Sequence, residues 1–311
     1  MSTKFIAAVV QASPVLFDIE KTLAKTAHLV TEAASKGAKL VLFPEAFISA
    51  YPRGLSFGTV VGSRSAEGRE TWLRYWNSSI EVPSKVTDQL GEMARKADLF
   101  LVIGVNEKDT VSGTMYCTML YYSPKGELMG KHRKLKPTAA ERIVWGEGDG
   151  STLSTFDTPL GKIGGLICWE NYMPLARMSM YQKGVQLYLA PTADSRENWQ
   201  HTLKHIALEG RCFVLGCNQF VTKSMYPYDL PGITDLEYEP EVMSRGGSVI
   251  VAPTGEVLAG PLWDEEGILT AEIDIEEVMK NKLDFDPVGH YARNDVFSLT
   301  VKDQPDSQEF E

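Results

Sequence analysis

The sequence predicts an α/β fold in which mixed β-sheets are covered by helices. Short, β-rich apolar runs alternate along the chain with segments whose apolar residues recur at helical spacing. The apolar runs are continuous, which is typical of strands that are buried on both faces. Because no linker or change of composition interrupts this pattern, we expect one domain over 1–300, followed by a solvated acidic tail over 301–311.

The first half of the chain predicts a βαβ unit, then a further helix, a strand and a hairpin. The run FIAAVV begins the unit, and KLVLF closes it after a segment of helical periodicity. Proline and glycine between two apolar runs indicate the hairpin turn. The predicted elements are strands over 5–11, 39–43 and 99–105, helices over 19–36 and 86–97, and a hairpin in which 124–126 joins 116–123 to 127–133.

The second half repeats the alternation. The predicted strands cover 162–168, 185–190, 213–218, 247–252 and 267–273, with helices over 175–183 and 196–211 and a turn at 253–257. Two stretches depart from this pattern: 53–68 is polar and glycine-rich, and 223–246 is long and contains three prolines and several acidic residues. Since long loops in compact domains are usually functional, we expect these two to form pocket walls or interfaces.

Charge and composition exclude several kinds of partner. A formal net charge of −10 opposes nonspecific binding to nucleic acid or to an anionic membrane. The apolar runs are too short to span a bilayer, and the run before Gln11 is too short for the apolar region of a signal peptide. Four cysteines without paired spacing fit reduced thiols. We therefore expect a cytoplasmic protein with a small-molecule partner.

Three reactive side chains follow predicted strands. Ligands of open α/β sheets bind beyond the carboxyl ends of strands, so Glu45 in LVLFPEAF, Lys134 in KHRKLKPTAAER and Cys168 in GGLICWEN are candidates for one site. Glu45, flanked by apolar residues, has the setting of a general base whose pKa is raised by desolvation. Cys168 precedes a helix that opens at Pro174, and we expect the field of that helix to lower the thiol pKa.

Each candidate also has a structural explanation. Glu45 can cap the segment after its strand, Lys134 can belong to a solvated basic face, and Cys168 can be a small core residue. The remaining cysteines lie within apolar runs, which is typical of core positions; they are Cys117, Cys212 and Cys217.

The histidines do not predict a metal site. His201 and His205 share a helix face at i, i+4, but HTLKH lacks the glutamate of a metalloprotease helix and no third ligand is evident. The glycine-rich run over 146–151 lacks the lysine of a phosphate-binding loop and predicts a turn. We expect neither a metal nor an organic cofactor.

The motifs FPEAF, HRKLKPTAAER and CWENYMPLAR, in this order and at these separations, closely resemble the nitrilase superfamily of carbon–nitrogen hydrolases. The likeness extends from residue 9 to about residue 300. It implies an α-β-β-α sandwich, in agreement with the buried sheets expected above. The residues after the cysteine, Cys-Trp-Glu-Asn with Met-Pro-Leu, are similar to those of the true nitrilase branch, which includes plant-type and bacterial nitrilases.

The resemblance implies a role for each motif. Glu45 is the expected general base, Lys134 the cation that stabilises anionic intermediates and Cys168 the nucleophile, with Glu141 as a second glutamate that orients the lysine. By position, the residues expected to line the substrate pocket are Tyr51, Trp145, Trp169, Pro191, Thr192 and Ala193. The family also implies homo-oligomers built from dimers and extended into spirals.

The expected reaction is hydrolysis of a nitrile by water to a carboxylic acid and ammonia through a thioimidate and a thioester on Cys168. Three alternatives use the same fold. An amidase or carbamoylase would apply the same residues to an amide, and a cyanide- or nitrile-hydrating variant would release the amide. A catalytically silent binding protein would use neither chemistry.

Overall fold

Two β-sheets pack face to face, and helices cover the outer face of each, in a computed structural model that describes residues 4–304. The strands are β1 Lys4–Gln11, β2 Ala38–Leu42, β3 Thr59–Val60, β4 Ser63–Arg64, β5 Phe100–Asp109, β6 Thr114–Tyr122, β7 Leu128–Arg133, β8 Thr155–Thr158, β9 Gly161–Gly165, β10 Leu187–Pro191, β11 Phe213–Cys217, β12 Phe220–Thr222, β13 Val242–Val251, β14 Val257–Trp263 and β15 Gly267–Asp274. The helices are α1 Ile19–Ser35, α2 Ala66–Asn77, α3 Lys85–Ala97, α4 Pro174–Gln182, α5 Asn198–Gly210 and α6 Glu276–Asn281.

Both sheets are mixed. The first has the order β15-β1-β2-β5-β6-β7, with β2 parallel to both β1 and β5. The second has the order β12-β13-β11-β10-β9-β8, with β10 parallel to β9 and β11, and β14 paired to β13. In each sheet the parallel strands lie at the centre. Side chains that follow them therefore meet at one edge of the sandwich.

The core has three layers. A central cluster joins the facing sides of the two sheets, for example Leu40 to Leu215. A second cluster lies between the first sheet and helices α1 and α3, and a third lies between the second sheet and helices α4 and α5. The predicted α/β fold is confirmed, and its layers have the α-β-β-α order that the resemblance implied. No helix within residues 4–304 is long and apolar enough to cross a membrane.

Each predicted strand and helix has an observed counterpart, but β3, β4, β8, β12, β14, α2 and α6 were not predicted. The strand predicted over 162–168 ends at Gly165, and a 3-10 turn, Cys168–Tyr172, follows it. Helix α2 begins at Ala66, within the glycine-rich stretch 53–68, and is capped by the Ser65 side chain. Helix α2 buries few apolar side chains, so its helical pattern is weak.

The two unusual stretches pack against each other. Ser56 donates hydrogen bonds from its backbone N–H and its hydroxyl to Asp235, both at 2.8 Å. The Tyr226 hydroxyl donates to the carbonyl of Arg53 at 2.7 Å. The stretch 223–246 also contains the first residues of β13. Of the predicted tail, Val301 packs against the third cluster, and residues 305–311 lie outside the described residues.

Gly104 in β5 lets the segment that carries Glu45 lie against the first sheet. A Cβ atom at this position would lie 2.3 Å from the Pro44 carbonyl oxygen and 2.8 Å from the Glu45 Cα. Gly104→Ala should therefore lower the free energy of unfolding by about 1–3 kcal/mol, because backbone atoms cannot move aside as a side chain can. Denaturation in urea measures this. Gly267→Ala in β15 is the control; there the nearest atom is the end of the Leu262 side chain at 3.0 Å, and a loss as large as that of Gly104→Ala would contradict the prediction.

Candidate active site

Glu45 lies three residues beyond the end of β2, in a segment that hydrogen-bonds to β5 through Gly104. It is almost fully buried, with 1% of its surface exposed. Its Oε1 accepts a hydrogen bond from Lys134 Nζ at 2.7 Å and lies 3.5 Å from Cys117 Sγ. Its Oε2 has no hydrogen-bond partner within residues 4–304. One oxygen of this buried carboxylate is thus available to accept a proton.

Lys134 directly follows β7, and its backbone N–H donates to the carbonyl of Cys117 at 2.8 Å. Its buried ammonium donates to Glu45 Oε1 and to Glu141 Oε2, both at 2.7 Å. The solvated basic face that the sequence left open is therefore wrong for this lysine. Burial disfavours its charge, but the surrounding acidic groups, of which Glu45 has the largest effect, outweigh burial and hold the Lys134 pKa well above its ordinary value.

Glu141 lies on the 3-10 turn Ala139–Ile143, and the Glu141 side chain fixes the geometry of this turn. Glu141 Oε2 accepts the backbone N–H of Thr138 at 2.6 Å as well as the Lys134 ammonium. Its Oε1 accepts the Tyr51 hydroxyl at 2.7 Å. Burial raises the pKa of Tyr51 above its ordinary value, and the charge of Glu141 raises it further, so this phenol remains a donor.

Cys168 has a left-handed backbone conformation, with φ of 52°, at the start of the 3-10 turn after β9. Its Sγ accepts a hydrogen bond from Thr192 Oγ1 at 3.1 Å. The Asn171 side chain fixes the turn, because its Nδ2 donates to the carbonyls of Leu166 and Cys168 at 3.0 and 2.8 Å. Ala46, which follows Glu45, and Ala139, two residues before Glu141, are also left-handed, with φ of 49° and 47°.

The expected lowering of the Cys168 pKa is wrong for the free protein. Burial raises it to about 12, and the negative charge of Glu45 adds to this, while Lys134 opposes it. Helix α4 begins six residues later at Pro174, so the thiol does not lie at the helix N-terminus. Burial also raises the pKa of Glu45, as the sequence predicted, although Lys134 acts in the opposite direction. The resting site therefore favours a neutral thiol.

A cavity of about 230 Å³ opens onto the thiol. Of the residues predicted for the pocket, Tyr51, Trp169 and Ala193 line it, and Thr192 contacts the sulfur. Trp145 packs edge-on against Tyr51 with ring centroids 5.7 Å apart, and Pro191 is the buried last residue of β10. The complete lining is Tyr51, Arg53, Thr138, Glu141, Cys168, Trp169, Ala193, Asp194, Ser195 and Arg196.

Several residues at this site were not predicted from the sequence. Arg53 donates to the Ala193 carbonyl across the cavity, and Asp194 accepts from Trp169 Nε1 at 2.8 Å. Asp194 follows β10, so the strand-end rule that selected Glu45 also applies to it. Cys117 contacts Glu45 from the middle of an apolar strand, where its sequence context resembles that of any core cysteine. Cys212 and Cys217 are buried as predicted.

The histidines lie in two different settings. His132 is buried and contacts Glu170, with Nε2 3.0 Å from Oε2. His201 and His205 lie on the exposed side of α5, where His205 Nε2 is 3.6 Å from Glu209. In the part of the chain that the structure describes, no group of three His, Cys, Asp or Glu side chains is placed to hold a metal ion.

Comparison with known proteins gives concordant results. The family model described as carbon-nitrogen hydrolase matches residues 6–282. The chain is 53% identical to an aliphatic nitrilase of Sinorhizobium fredii (strain HH103), over 98% of each protein. It is 52% identical to the bifunctional nitrilase/nitrile hydratase NIT4A of Lupinus angustifolius, over 96% of this chain and 86% of that protein. The crystal structure of Saccharomyces cerevisiae Nit3, of the nitrilase superfamily, superposes with a TM-score of 0.70 at 22% identity, covering 93% of this chain and 97% of that one.

Proposed function

The chain belongs to the carbon–nitrogen hydrolase family, and from this we propose that it hydrolyses an organic nitrile to the carboxylic acid and ammonia through a covalent intermediate on Cys168. The observation that carries the proposed roles is the buried, unpartnered Oε2 of Glu45, whose other oxygen is held by Lys134; among residues 4–304 it has no hydrogen-bond donor. A base with one free oxygen, a cation and a neutral thiol in one buried site are the groups that nucleophilic attack on a nitrile needs.

The first half of the reaction makes a thioimidate. Glu45 Oε2 takes the proton of the Cys168 thiol as sulfur attacks the nitrile carbon, so that the S–C bond forms and one C–N π bond becomes a lone pair on nitrogen. Glu45 returns the proton to that nitrogen. The Lys134 ammonium and the backbone N–H of Trp169 stabilise the negative charge that develops, as an oxyanion hole does.

The second half consumes two waters. Glu45 takes a proton from the first water as it adds to the thioimidate carbon, and returns it to the nitrogen, which becomes NH2. The proton of the new hydroxyl is then transferred through Glu45 to this nitrogen, so that the C–N bond breaks, ammonia leaves and the thioester carbonyl forms. A second water attacks the resulting thioester in the same way. The C–S bond then breaks, the acid is released and the thiol regains its proton.

The tetrahedral intermediate has a second outlet. If its C–S bond breaks before its C–N bond, the product is the amide, and a relative at 52% identity is named as both a nitrilase and a nitrile hydratase. We propose acid as the main product, with amide as the minor one. Relatives that share about half of the sequence carry nitrilase names, which favours a nitrile over the amide as the substrate.

The test is to incubate the purified protein with nitriles and with the matching amides, measuring ammonia and separating the products by chromatography. Aliphatic, aromatic, arylacetonitrile and cyanoalanine substrates form the panel. A cavity of about 230 Å³ favours its compact members, because pockets for larger ligands are roughly 300–1,000 Å³. Consumption of the amides alone would contradict the proposal, and consumption of neither would support a silent binding protein.

The pH dependence follows from the raised pKa of Glu45. A general base must be ionised in the free enzyme, so kcat/KM should fall as the pH drops through the Glu45 pKa, and the midpoint of this acid limb should lie above the ordinary glutamate value of 4.5. Initial rates across pH, with stability monitored in parallel, measure the limb. A midpoint at or below 4.5 would argue against Glu45 as the base.

We also propose a cytoplasmic homo-oligomer built from dimers, with extension into a spiral. All four cysteines are free thiols, which supports a reducing compartment. Large apolar side chains lie exposed around α4 and the C-terminal residues, including Leu175 at 68% and Phe297 at 76%, and this supports a self-association face. Tyr228 and Tyr238, on the 223–246 stretch, are over 90% exposed and support a second self-association face. Light scattering during size-exclusion chromatography measures the assembly.

A further inference from the structure

Glu170 is a buried carboxylate that the proposed mechanism does not use. It lies two residues after Cys168, and its side chain has no exposed surface. Its Oε2 accepts the backbone N–H of Ile167 at 2.6 Å, and its Oε1 accepts the backbone N–H of Leu135 at 2.5 Å. Ile167 precedes the nucleophile and Leu135 follows the catalytic lysine. One side chain therefore joins the two segments on which the thiol and the ammonium depend.

A purely local role accounts for only half of this arrangement. The bond to Ile167 is a cap of the 3-10 turn Cys168–Tyr172, of a kind found at many helix starts. The bond to Leu135 spans 35 residues and reaches from the second sheet to the end of β7 in the first. Capping does not require that second contact. The bond to Leu135 instead holds the two sheets at a fixed separation beside the site.

His132 completes the contact from the first sheet. It lies on β7, two residues before Lys134, and its Nε2 is 3.0 and 3.2 Å from the two Glu170 oxygens. A carboxylate only accepts hydrogen bonds, so in its contact with the Glu170 carboxylate His132 donates from Nε2. Its Nδ1 lies 3.2 Å from the Thr152 carbonyl oxygen, so both ring nitrogens face hydrogen-bond acceptors.

We infer that Glu170, supported by His132, is a positioning residue that sets the Cys168 sulfur against the Lys134 ammonium. The inference rests on the proposed function. Glu170 acts by holding the backbone of Ile167 and of Leu135, and it does not touch a reacting atom. Small misplacements of catalytic groups are costly, since about 1 Å can reduce the rate roughly 100-fold.

Glu170→Gln tests this inference with little change of shape. The amide NH2 replaces one oxygen and then faces a backbone N–H, so one of the two bridges is broken. We expect kcat for the nitrile to fall about 10- to 100-fold and KM to change less than about threefold, with a change in the acid-to-amide ratio. A residue that served stability alone would lower the midpoint of denaturation without moving this ratio.

Glu107→Gln is the matched control. Glu107 is also buried, with 2% of its side chain exposed; it holds β7 through Arg133 Nη2 at 2.6 Å and β6 through Thr118 Oγ1 at 2.9 Å. Its hydrogen bonds within residues 4–304 do not reach the Cys168 turn. We expect this variant to lose stability while kcat and the product ratio stay within about twofold of the wild type. Equal kcat losses in the two variants would overturn the inference.

A second variant keeps the test decisive if Glu170→Gln does not fold. His132→Gln leaves both backbone bridges in place and removes the imidazole contact, and we expect kcat to fall about three- to tenfold. Wild-type kcat and product ratio in a folded variant of either kind would overturn the inference. If the wild type consumes only amides, the proposed function fails, but the same kcat comparison on the amide still tests the positioning role.

Discussion

Replacing Cys168 with alanine should lower the rate of ammonia release from a nitrile by at least about 10⁴-fold, since loss of a nucleophile leaves only binding and charge stabilisation. The protein should stay folded. Alanine can occupy the same left-handed backbone, and the substitution removes one side-chain hydrogen bond, from the Thr192 hydroxyl, so we expect a change in the free energy of unfolding of about 1 kcal/mol. Ammonia release under saturating substrate and a urea titration measure the two effects.

The control for this variant is Cys212→Ala, which removes an equally buried thiol from the third core cluster. It should lose about the same stability and keep its activity. Wild-type turnover by Cys168→Ala would return the chain to the catalytically silent alternative. A large loss of activity in both variants would indicate that loss of folded protein, and not loss of the nucleophile, lowers the rate.

Lys134→Met should have the largest combined effect on stability and activity. The substitution leaves Glu45 and Glu141 buried without the cation that both contact at 2.7 Å. Removing one member of a buried ion pair typically costs about 3–5 kcal/mol, and we expect that loss here, with hydrolysis reduced at least about 10³-fold. Thermal or urea denaturation and an ammonia assay measure the two quantities.

The stability loss should depend on pH with a definite sign. Without the ammonium, burial raises the pKa of Glu45 in the folded protein further above its unfolded value, so the folded state binds a proton that the unfolded state releases. The variant should therefore regain stability as the pH falls towards the ordinary value of 4.5. A loss that is independent of pH would indicate that weaker packing, and not unpaired charge, dominates.

Lys136→Met is the matched control, two residues further along the chain. Its ion pair with Glu147 is exposed, with 47% and 56% of the two side chains accessible to solvent. Surface pairs contribute about 0–1 kcal/mol, so stability should change little. A loss of stability comparable to that of Lys134→Met would indicate that disruption of the loop as a whole, and not of the buried ion pairs, causes the effect.

The fold was largely predictable because buried strands and amphipathic helices differ in local periodicity. The positions of Glu45 and Lys134 after strands were also readable, since strand ends are marked by the loss of apolar character. Their contact was not: the two residues are 89 positions apart, and β5 and β6 lie between β2 and β7 in the sheet. Resemblance to a family supplied what local patterns could not.

Two further features required coordinates. The raised pKa of Cys168 depends on how deeply its turn is buried and on the distance to α4, neither of which the run GGLICWEN encodes locally. The contact between Cys117 and Glu45 depends on which face of β6 the cysteine occupies and on what lies opposite. Both are properties of packing between elements that are distant in sequence.

The left-handed residues at the site have a consequence for engineering this protein. Ala46, Ala139 and Cys168 each adopt a conformation that costs an L-residue roughly 1–2 kcal/mol, and each is a proposed catalytic residue or lies within two residues of one. The packing of the surrounding sandwich must therefore offset the conformational free-energy cost of these three residues. Thermostabilising substitutions should therefore be sought in the outer helices, since relaxing these three turns to gain stability would displace the groups that perform the chemistry.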